Sequence, residues 1–322
     1  AYFVDMLKGY DEYREGKTDH LAGVKALDKY TLQFELSGPF APFVNVLAYN
    51  TFVVMPKEDV KKWGEDWNFH PVGTGPFKFV DWSQDDKVVL TRNENYWAKD
   101  EDGNQLPYLD GIEFRIINDY AVMWEEFKVG NLYQTFVDDP YYAEALEKYP
   151  NSYHEKPQLG TYYYGMLMEG DSIFAGNKAL RKAMNYAVNR EALIDLVRNG
   201  RGTPAKGVIP PGMFGYNEDL DGYTYDMDKT KELLKEAGYP NGFEVTLQYN
   251  TNKGHKRIAE ALQAIYAQAN IKLNLKNVEW GTHLSTTERG DVDFFRMGWV
   301  ADYNDPDNFL YVLLHSTNKG PE

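Results

Sequence analysis

One stretch near the carboxyl end alternates strand-like and helix-like patterns, and it constrains the fold more than any other feature. Apolar side chains recur at every second position over 243–249 and again over 271–275, which predicts two half-buried strands. Between them, apolar residues at helical spacing predict a helix over 258–269. A further helix over 282–289 leads to a third apolar run, 292–297. Such a β-α-β-α-β series is typical of a parallel sheet with helices packed on it.

The third strand of this series ends in a group of aromatic and polar residues. Gly298 breaks the apolar run, Trp299, Asp302 and Tyr303 follow, and Asp305-Pro306 turns the chain. Ligands of open α/β sheets bind beyond the carboxyl ends of the strands. The stretch therefore has two interpretations: the floor of a binding site, or an ordinary strand end with Trp299 in the core and Asp302 as a cap. Position in a fold does not by itself decide between them.

Elsewhere the sequence predicts further helices, including a short one over 123–129 that Gly130 ends. An apolar face over 3–7 predicts a helix at the start of the chain, and 178–197 reads as one long helix. Another helix covers 229–237, with Asp228 as its N-cap and Gly238 at its end.

The composition narrows the class of partner. With 322 residues the chain is long enough for two domains. Its 49 acidic and 34 basic residues give a net charge of −15, which argues against nucleic acid or an anionic membrane as partner. The absence of cysteine excludes disulfides and thiolate metal sites. The 25 tyrosines suit a recognition surface as well as a core.

The sequence shows no targeting signal that would identify the cellular compartment. No apolar run is long enough to span a bilayer, and the first residues lead into a polar segment without a signal-peptide pattern. A cytosolic protein, a processed protein and a piece excised from a longer chain all agree with this.

Catalytic motifs are missing from the sequence. There is no GxSxG elbow, no HExxH and no Walker lysine, and the six histidines have no metal-ligand spacing. An acid pair such as Asp302 and Asp305 is compatible with acid–base work, but among 49 acidic residues such pairs arise by chance. No cofactor and no metal is therefore predicted, and an acid–base hydrolase is the least supported function.

A series of short motifs follows in order along nearly the whole chain. The motifs are VGTGPFKFVDW (72–82), LTRNENYW (90–97), FRII (114–117), FKVGNL (127–132), TYYYG (161–165), LRKAMNYAVNREALI (180–194), IPPG (209–212), KELLKEAGYPNG (231–242), YNTNKGHKRIAEALQ (249–263), VEW (278–280) and MGWVADYNDPDNF (297–309). Each is weak alone. As an ordered set, they resemble the extracellular solute-binding proteins of the oligopeptide/dipeptide ABC importer family, solute-binding protein family 5.

The resemblance implies an α/β fold of the periplasmic-binding-protein-like type II: two lobes with mixed sheets flanked by helices, joined by a hinge that closes on the ligand. The chain would be an internal fragment lacking N- and C-terminal parts. Residues 1–68 would be the remainder of the small subdomain of lobe I, 69–155 part of lobe I, and 156–322 lobe II without its C-terminal part.

The implied function is that of a binding protein, not an enzyme. It would capture oligopeptides on the periplasmic or extracellular face of the membrane and deliver them to the permease subunits of an ABC transporter. Contact with the membrane would come only through the transporter or a lipid anchor. An oligosaccharide ligand is the alternative within the family, because aromatic residues suit stacking on sugar rings. The pair Asp302 and Arg296 favours a peptide, since a neutral sugar needs neither charge.

Four site residues follow from the resemblance at the amino-terminal and side-chain subsites. Asp302, in the Gly-Trp-x-x-Asp motif, would pair with the α-ammonium of the peptide. Trp299 of the same motif and Trp280 of the Glu-Trp motif would line side-chain pockets. Tyr163 matches a family tyrosine near the ligand.

Two further residues would meet the peptide carboxylate. These are Arg296, three positions before the motif tryptophan, and His255 of the His-Lys motif. Each has a structural alternative: Arg296 as a member of an ion pair, and His255 as a cap of the helix that follows it. The chain departs from the pattern at Gly165, where some oligopeptide binders have Glu, and at Thr287, where some have a second Arg. These departures leave the preferred ligand length open.

Overall fold

The computed structural model describes residues 3–318 and divides the chain into two compact units. One unit joins the stretch up to Tyr49 to the stretch from His154 onward, and the other is Asn50–Tyr153. The first two and last four positions of the predicted lobes lie outside the described residues. The lobe boundaries 1–68, 69–155 and 156–322 remain a prediction. Within 3–318, every helix is too short or too polar to cross a membrane.

The structure of residues 3–318 contains nine strands, eleven α-helices and four short 3-10 helices. The strands are β1 (Val24–Ala26), β2 (Leu32–Phe34), β3 (Phe77–Ser83), β4 (Lys87–Arg92), β5 (Gly111–Arg115), β6 (Gly160–Met166), β7 (Glu244–Asn250), β8 (Lys272–Val278) and β9 (Phe294–Val300). The α-helices are α1 (Tyr10–Arg14), α2 (Phe43–Leu47), α3 (Lys57–Trp63), α4 (Tyr120–Lys128), α5 (Tyr142–Lys148), α6 (Lys178–Tyr186), α7 (Arg190–Arg198), α8 (Met227–Glu236), α9 (Lys253–Ala267), α10 (Trp280–Glu288) and α11 (Asp307–Leu314). The 3-10 helices are Asn50–Phe52, Gly64–Phe69, Asp139–Tyr141 and Ser316–Asn318.

The larger unit is built on a mixed four-stranded sheet in the order β6-β9-β7-β8. β7 pairs in parallel with β8 and with β9, and β6 pairs antiparallel with β9. The predicted β-α-β-α-β series is therefore confirmed as β7-α9-β8-α10-β9. Because β8 lies on one side of β7 and β9 on the other, the strand order reverses at β7. Reversals of this kind open a crevice at the carboxyl ends of the strands.

The core of this unit lies between the sheet and the helices α6, α8 and α9. Leu247 of β7 and Leu180 of α6 are completely buried, and Phe294 of β9 is 1% exposed. The Phe294 ring lies among those of Phe174 and Tyr266. Burial of this apolar face fixes the register of β9, since a one-residue slip would turn every side chain to the opposite face.

The smaller unit, Asn50–Tyr153, contains an antiparallel sheet in the order β3-β4-β5. The ring of Trp124 on α4 is buried and stacks parallel to Tyr141, while Tyr149 meets it edge-on. The indole N–H donates to Glu144 over 2.8 Å, so the buried polar atom is satisfied.

Three helix predictions need correction. The apolar face over 3–7 is not helical: α1 begins only at Tyr10, after Gly9 adopts a left-handed φ of 81°. The predicted helix over 178–197 is two helices, because the Asn189 side chain accepts from the backbone N–H of Ala192 (3.0 Å) and starts α7 anew.

The predicted N-cap of α8 is also wrong. Asp226, not Asp228, accepts the capping hydrogen bond, from the backbone N–H of Lys229 over 2.8 Å. The end of that helix is as predicted, since Gly238 follows with a left-handed φ of 92°.

Candidate functional site

The candidate site lies where β7 and β9 part. Their pairing covers only two positions, Leu247 with Phe294 and Gln248 with Phe295. Beyond it, β9 continues along β6 to Val300, while β7 ends at Asn250. Neighbouring residues of a strand point to opposite faces, so side chains from both faces of β9 border this opening.

Arg296 of β9 is half-buried against polar and aromatic neighbours. Its Cζ atom lies 4.5 Å from the centre of the Tyr162 ring, and its Nη1 donates to Asn250 Oδ1 over 3.2 Å. Its Nε is buried and meets no hydrogen-bond acceptor among residues 3–318. No ion pair joins this guanidinium to a carboxylate among residues 3–318, so the described residues give the ion-pair alternative for Arg296 no support.

His255 lies beside the same tyrosine. Its Nδ1 is 3.3 Å from the Tyr162 hydroxyl. Burial, together with the nearby Arg296 charge and His283, lowers the pKa of His255 to about 4, so the ring is neutral at pH 7. The cap of α9 is Asn252, whose Oδ1 accepts from the backbone N–H of His255 over 3.2 Å. The interpretation of His255 as a cap is therefore wrong.

Trp299 and Asp302 meet at one buried amide. Asn308 of α11 is completely buried, and its Oδ1 accepts from the Trp299 indole (3.0 Å) and from the Asp302 backbone N–H (2.9 Å). Its Nδ2 lies 3.5 Å from Asp302 Oδ2. The Tyr49 hydroxyl donates to the Asp302 carboxylate, and this hydrogen bond raises the pKa of Tyr49. Asp302 does not cap α11, which begins after Pro306 without a side-chain cap.

The alternation of β6 and β9 divides the site between two faces. Tyr164 pairs with Arg296, and Tyr162 with Gly298, so these side chains point to the face of the helical core. Tyr163 points to the opposite face, together with Trp299.

Tyr163 and Trp280 border the site without joining either cluster. Burial raises the pKa of the Tyr163 hydroxyl. Trp280 begins α10 and is 44% exposed, with its ring stacked 5.8 Å from that of His283. Among residues 3–318, no hydrogen bond or ring contact links either of the two to the other four predicted residues. The structure thus groups Arg296 with His255, and Trp299 with Asp302.

The two positions that depart from the family pattern have local explanations. A Cβ at Gly165 would lie 2.4 Å from the ring of its cross-strand partner Phe295, so no larger residue fits while that ring stays in place. Thr287 turns inward along its own helix, where its hydroxyl donates to the His283 carbonyl over 2.8 Å.

Sequence reasoning missed the residues that hold the predicted ones in place. Tyr162, Asn250 and Asn308 all lie inside motifs already noted, but nothing local singles them out. Their partners are remote: Asn250 is 46 residues from Arg296, and Tyr162 is 93 residues from His255. Such pairings follow from strand register, which the residue types alone do not disclose.

Comparison with known proteins places the chain in a family. The model of the bacterial extracellular solute-binding proteins, family 5, matches residues 3–321. The dipeptide-binding protein of Escherichia coli K12 is 32% identical over 319 residues, which cover 95% of this chain and 58% of that protein. The chain therefore spans less than two thirds of the length of this relative.

Solved structures agree with this placement. The periplasmic binding protein DppA from Helicobacter pylori, in complex with the peptide STSA, matches with a TM-score of 0.77 at 32% identity, over 92% of this chain and 58% of that one. The periplasmic oligopeptide-binding protein OppAIV from Borrelia burgdorferi matches with a TM-score of 0.82 at 29% identity, over 99% of this chain and 64% of that one. The α/β fold with mixed sheets flanked by helices is thus the fold of this family, and the chain belongs to the bacterial extracellular solute-binding proteins, family 5.

Proposed function

We propose that the chain is the ligand-binding part of the substrate-binding component of an ABC importer. It captures oligopeptides between two lobes and delivers them to the membrane permease, at the periplasmic or extracellular face, without catalysing a reaction. It meets the membrane only through the transporter or a lipid anchor. The similarity to proteins named for dipeptide and oligopeptide binding supports a peptide ligand.

The environment of the Arg296 side chain is the observation that supports this proposal most directly. Arg296 is a half-buried cation with a buried, unpartnered Nε, and residues 3–318 supply it with no carboxylate. The guanidinium therefore keeps its charge without a carboxylate partner among the described residues. A buried charge is costly unless it is paired. A ligand carboxylate would pair with the guanidinium, and the neutral His255 beside it would add a hydrogen bond.

The opposite end of the ligand is assigned to Asp302. A carboxylate there pairs with the α-ammonium through a charge-assisted hydrogen bond, which contributes about 1.5–3 kcal/mol. Trp299, Trp280 and Tyr163 supply flat walls for side chains of varied size. An anionic group in one cluster and a cationic group in the other suit a zwitterionic peptide that spans both better than a neutral sugar.

The choice between peptide and sugar is tested by thermal-shift screening of the full chain against a tripeptide library and an oligosaccharide library. Binding raises the melting temperature with the logarithm of ligand concentration over Kd. We expect stabilisation by peptides. Stabilisation by cellobiose-like sugars and by no peptide would contradict the proposal.

The role of Asp302 is tested by Asp302→Asn. The variant should weaken tripeptides with a free amino terminus by about tenfold or more, because the charge-assisted bond is lost. N-acetylated tripeptides, which lack the ammonium, should bind both proteins alike in calorimetry. An equal loss for both ligand classes would remove the assigned role.

A further inference from the structure

A buried histidine that takes no part in the proposed ligand contacts lies directly behind Arg296. His283 of α10 is completely buried, and its Nε2 donates to the main-chain oxygen of Arg296 over 2.8 Å. The bond joins α10 to β9 at Arg296, whose guanidinium is the proposed ligand of the peptide carboxylate.

This hydrogen bond falls where the parallel ladder stops. β7 pairs with β9 up to Phe295, so the Arg296 carbonyl lies one residue beyond the last paired position. A main-chain carbonyl that is buried without a donor costs about 1–3 kcal/mol. The imidazole supplies that donor at the point where the two strands separate.

The second ring nitrogen fixes the protonation state of His283. Its Nδ1 lies 3.2 Å from Nε2 of the completely buried Gln248, which also donates to the Thr286 hydroxyl over 2.9 Å. A carbonyl oxygen only accepts, so Nε2 must carry the proton, and an amide N–H needs an acceptor at Nδ1. Both neighbours thus select the neutral ring with its proton on Nε2.

The same imidazole links its own helix to two strands that border the site, β9 and β7. It bonds to β9 at Arg296, to β7 at Gln248, and it stacks on the ring of Trp280. Asn250, two residues beyond Gln248 on β7, accepts from the Arg296 guanidinium. A shift of β9 against β7 would therefore move the guanidinium relative to its own partner.

We propose that His283 is a positioning residue for the carboxylate site: its neutral imidazole holds the main chain at Arg296 and so sets the direction of the guanidinium. This assignment rests on the proposed function of Arg296 as the ligand of a peptide carboxylate. His283 itself touches no ligand.

The test compares two variants of the full chain, His283→Phe and His283→Gln. Phenylalanine fills the volume but removes both hydrogen bonds, whereas the Gln amide keeps an N–H for the Arg296 carbonyl. The probes are an equimolar tripeptide library and the same library amidated at its carboxyl end, measured by calorimetry. Phenylalanine at the exposed His20 is the matched control.

His283→Phe should weaken the free-carboxylate library by about 5- to 30-fold and leave the amidated library within about twofold. His283→Gln should recover most of the loss, and His20→Phe should change neither. An equal loss for both libraries, or no loss for either, would overturn the positioning role. Arg296→Gln distinguishes this from failure of the function itself: if that variant does not separate the two libraries, the proposed carboxylate site is wrong.

A second measurement tests the tautomer of His283 in the wild-type protein, and it needs neither a ligand nor a stable variant. The ¹⁵N chemical shifts of the wild-type imidazole at pH 7 report which ring nitrogen carries the proton. We expect His283 as the neutral Nε2–H tautomer. The Nδ1–H tautomer, or a charged ring, would contradict the arrangement and with it the inference.

Discussion

At the scale of single residues, His255 makes the stability of the fold depend on pH. The unfolded chain takes up a proton at this ring near pH 6.5, while burial and the Arg296 charge keep the folded ring neutral down to about pH 4. The unfolded state therefore binds more protons in this window, and the free energy of unfolding falls as the pH is lowered from 6.5 to 4. Because the ring is only half-buried, we expect a loss of about 1–2 kcal/mol after solvent screening is allowed for.

The measurement is urea unfolding at pH 7 and at pH 4.5, on the wild type and on His255→Gln. The many carboxylates titrate in both proteins, so the difference between the two pH dependences isolates this ring. The Gln variant should lose less stability on acidification. Identical pH dependences would show that His255 titrates alike in the folded and unfolded states.

Asn308 is the second residue from which a specific effect is expected. Its completely buried amide oxygen serves both the Trp299 indole and the Asp302 main chain. Asn308→Ala leaves two donors without their acceptor and should destabilise the chain by about 2–4 kcal/mol. Urea unfolding of Asn304→Ala, at an exposed position four residues earlier, gives the control, which should stay within about 0.5 kcal/mol of wild type. If Asn308→Ala lowered the free energy of unfolding as little as the control does, a water molecule would be accepting the two hydrogen bonds in place of the amide oxygen.

At the scale of elements, the pairing of β6 with β9 requires a glycine. A Cβ at Gly165 would come within 2.4 Å of the Phe295 ring, whereas one at Gly298 in the same ladder would meet nothing closer than 3.4 Å. Gly165→Ala should therefore cost about 1–3 kcal/mol of unfolding free energy, and Gly298→Ala much less. Equal costs would show that Phe295 moves aside freely. Adding Phe295→Leu to Gly165→Ala should recover part of the loss, because the smaller side chain frees the space.

Elements were predictable from the sequence where a local pattern determines them. The alternation at 243–249 and 271–275 located β7 and β8, because half-buried strands leave a period of two in the sequence. The break at Asn189 was missed, since the apolar stripe continues through it and the cap depends on one side-chain hydrogen bond. Likewise, no local sequence pattern predicts that His283 is buried. Its partner Gln248 lies 35 residues earlier in the sequence, and only the order of the strands brings the two together.

At the scale of the whole molecule, the net charge of −15 affects the rate at which charged ligands associate. A field of one sign attracts ligands of opposite charge and repels those of the same charge, and salt screens both effects. The screening length falls from about 30 Å at 0.01 M salt to about 10 Å at 0.1 M. Contacts at Arg296, which is half-buried, are screened much less than this long-range field.

Association rates should therefore depend on salt in opposite directions for peptides of opposite charge. Between 10 and 300 mM NaCl we expect the rate for Ala-Glu-Ala to rise about 2- to 5-fold and that for Ala-Lys-Ala to fall by a similar factor. The neutral zwitterion Ala-Ala-Ala is the control and should change little. Stopped-flow tryptophan fluorescence follows the three reactions, since the chain has seven tryptophans. A common salt dependence for all three would mean that local charges at the site, and not the net charge, govern the approach of the ligand.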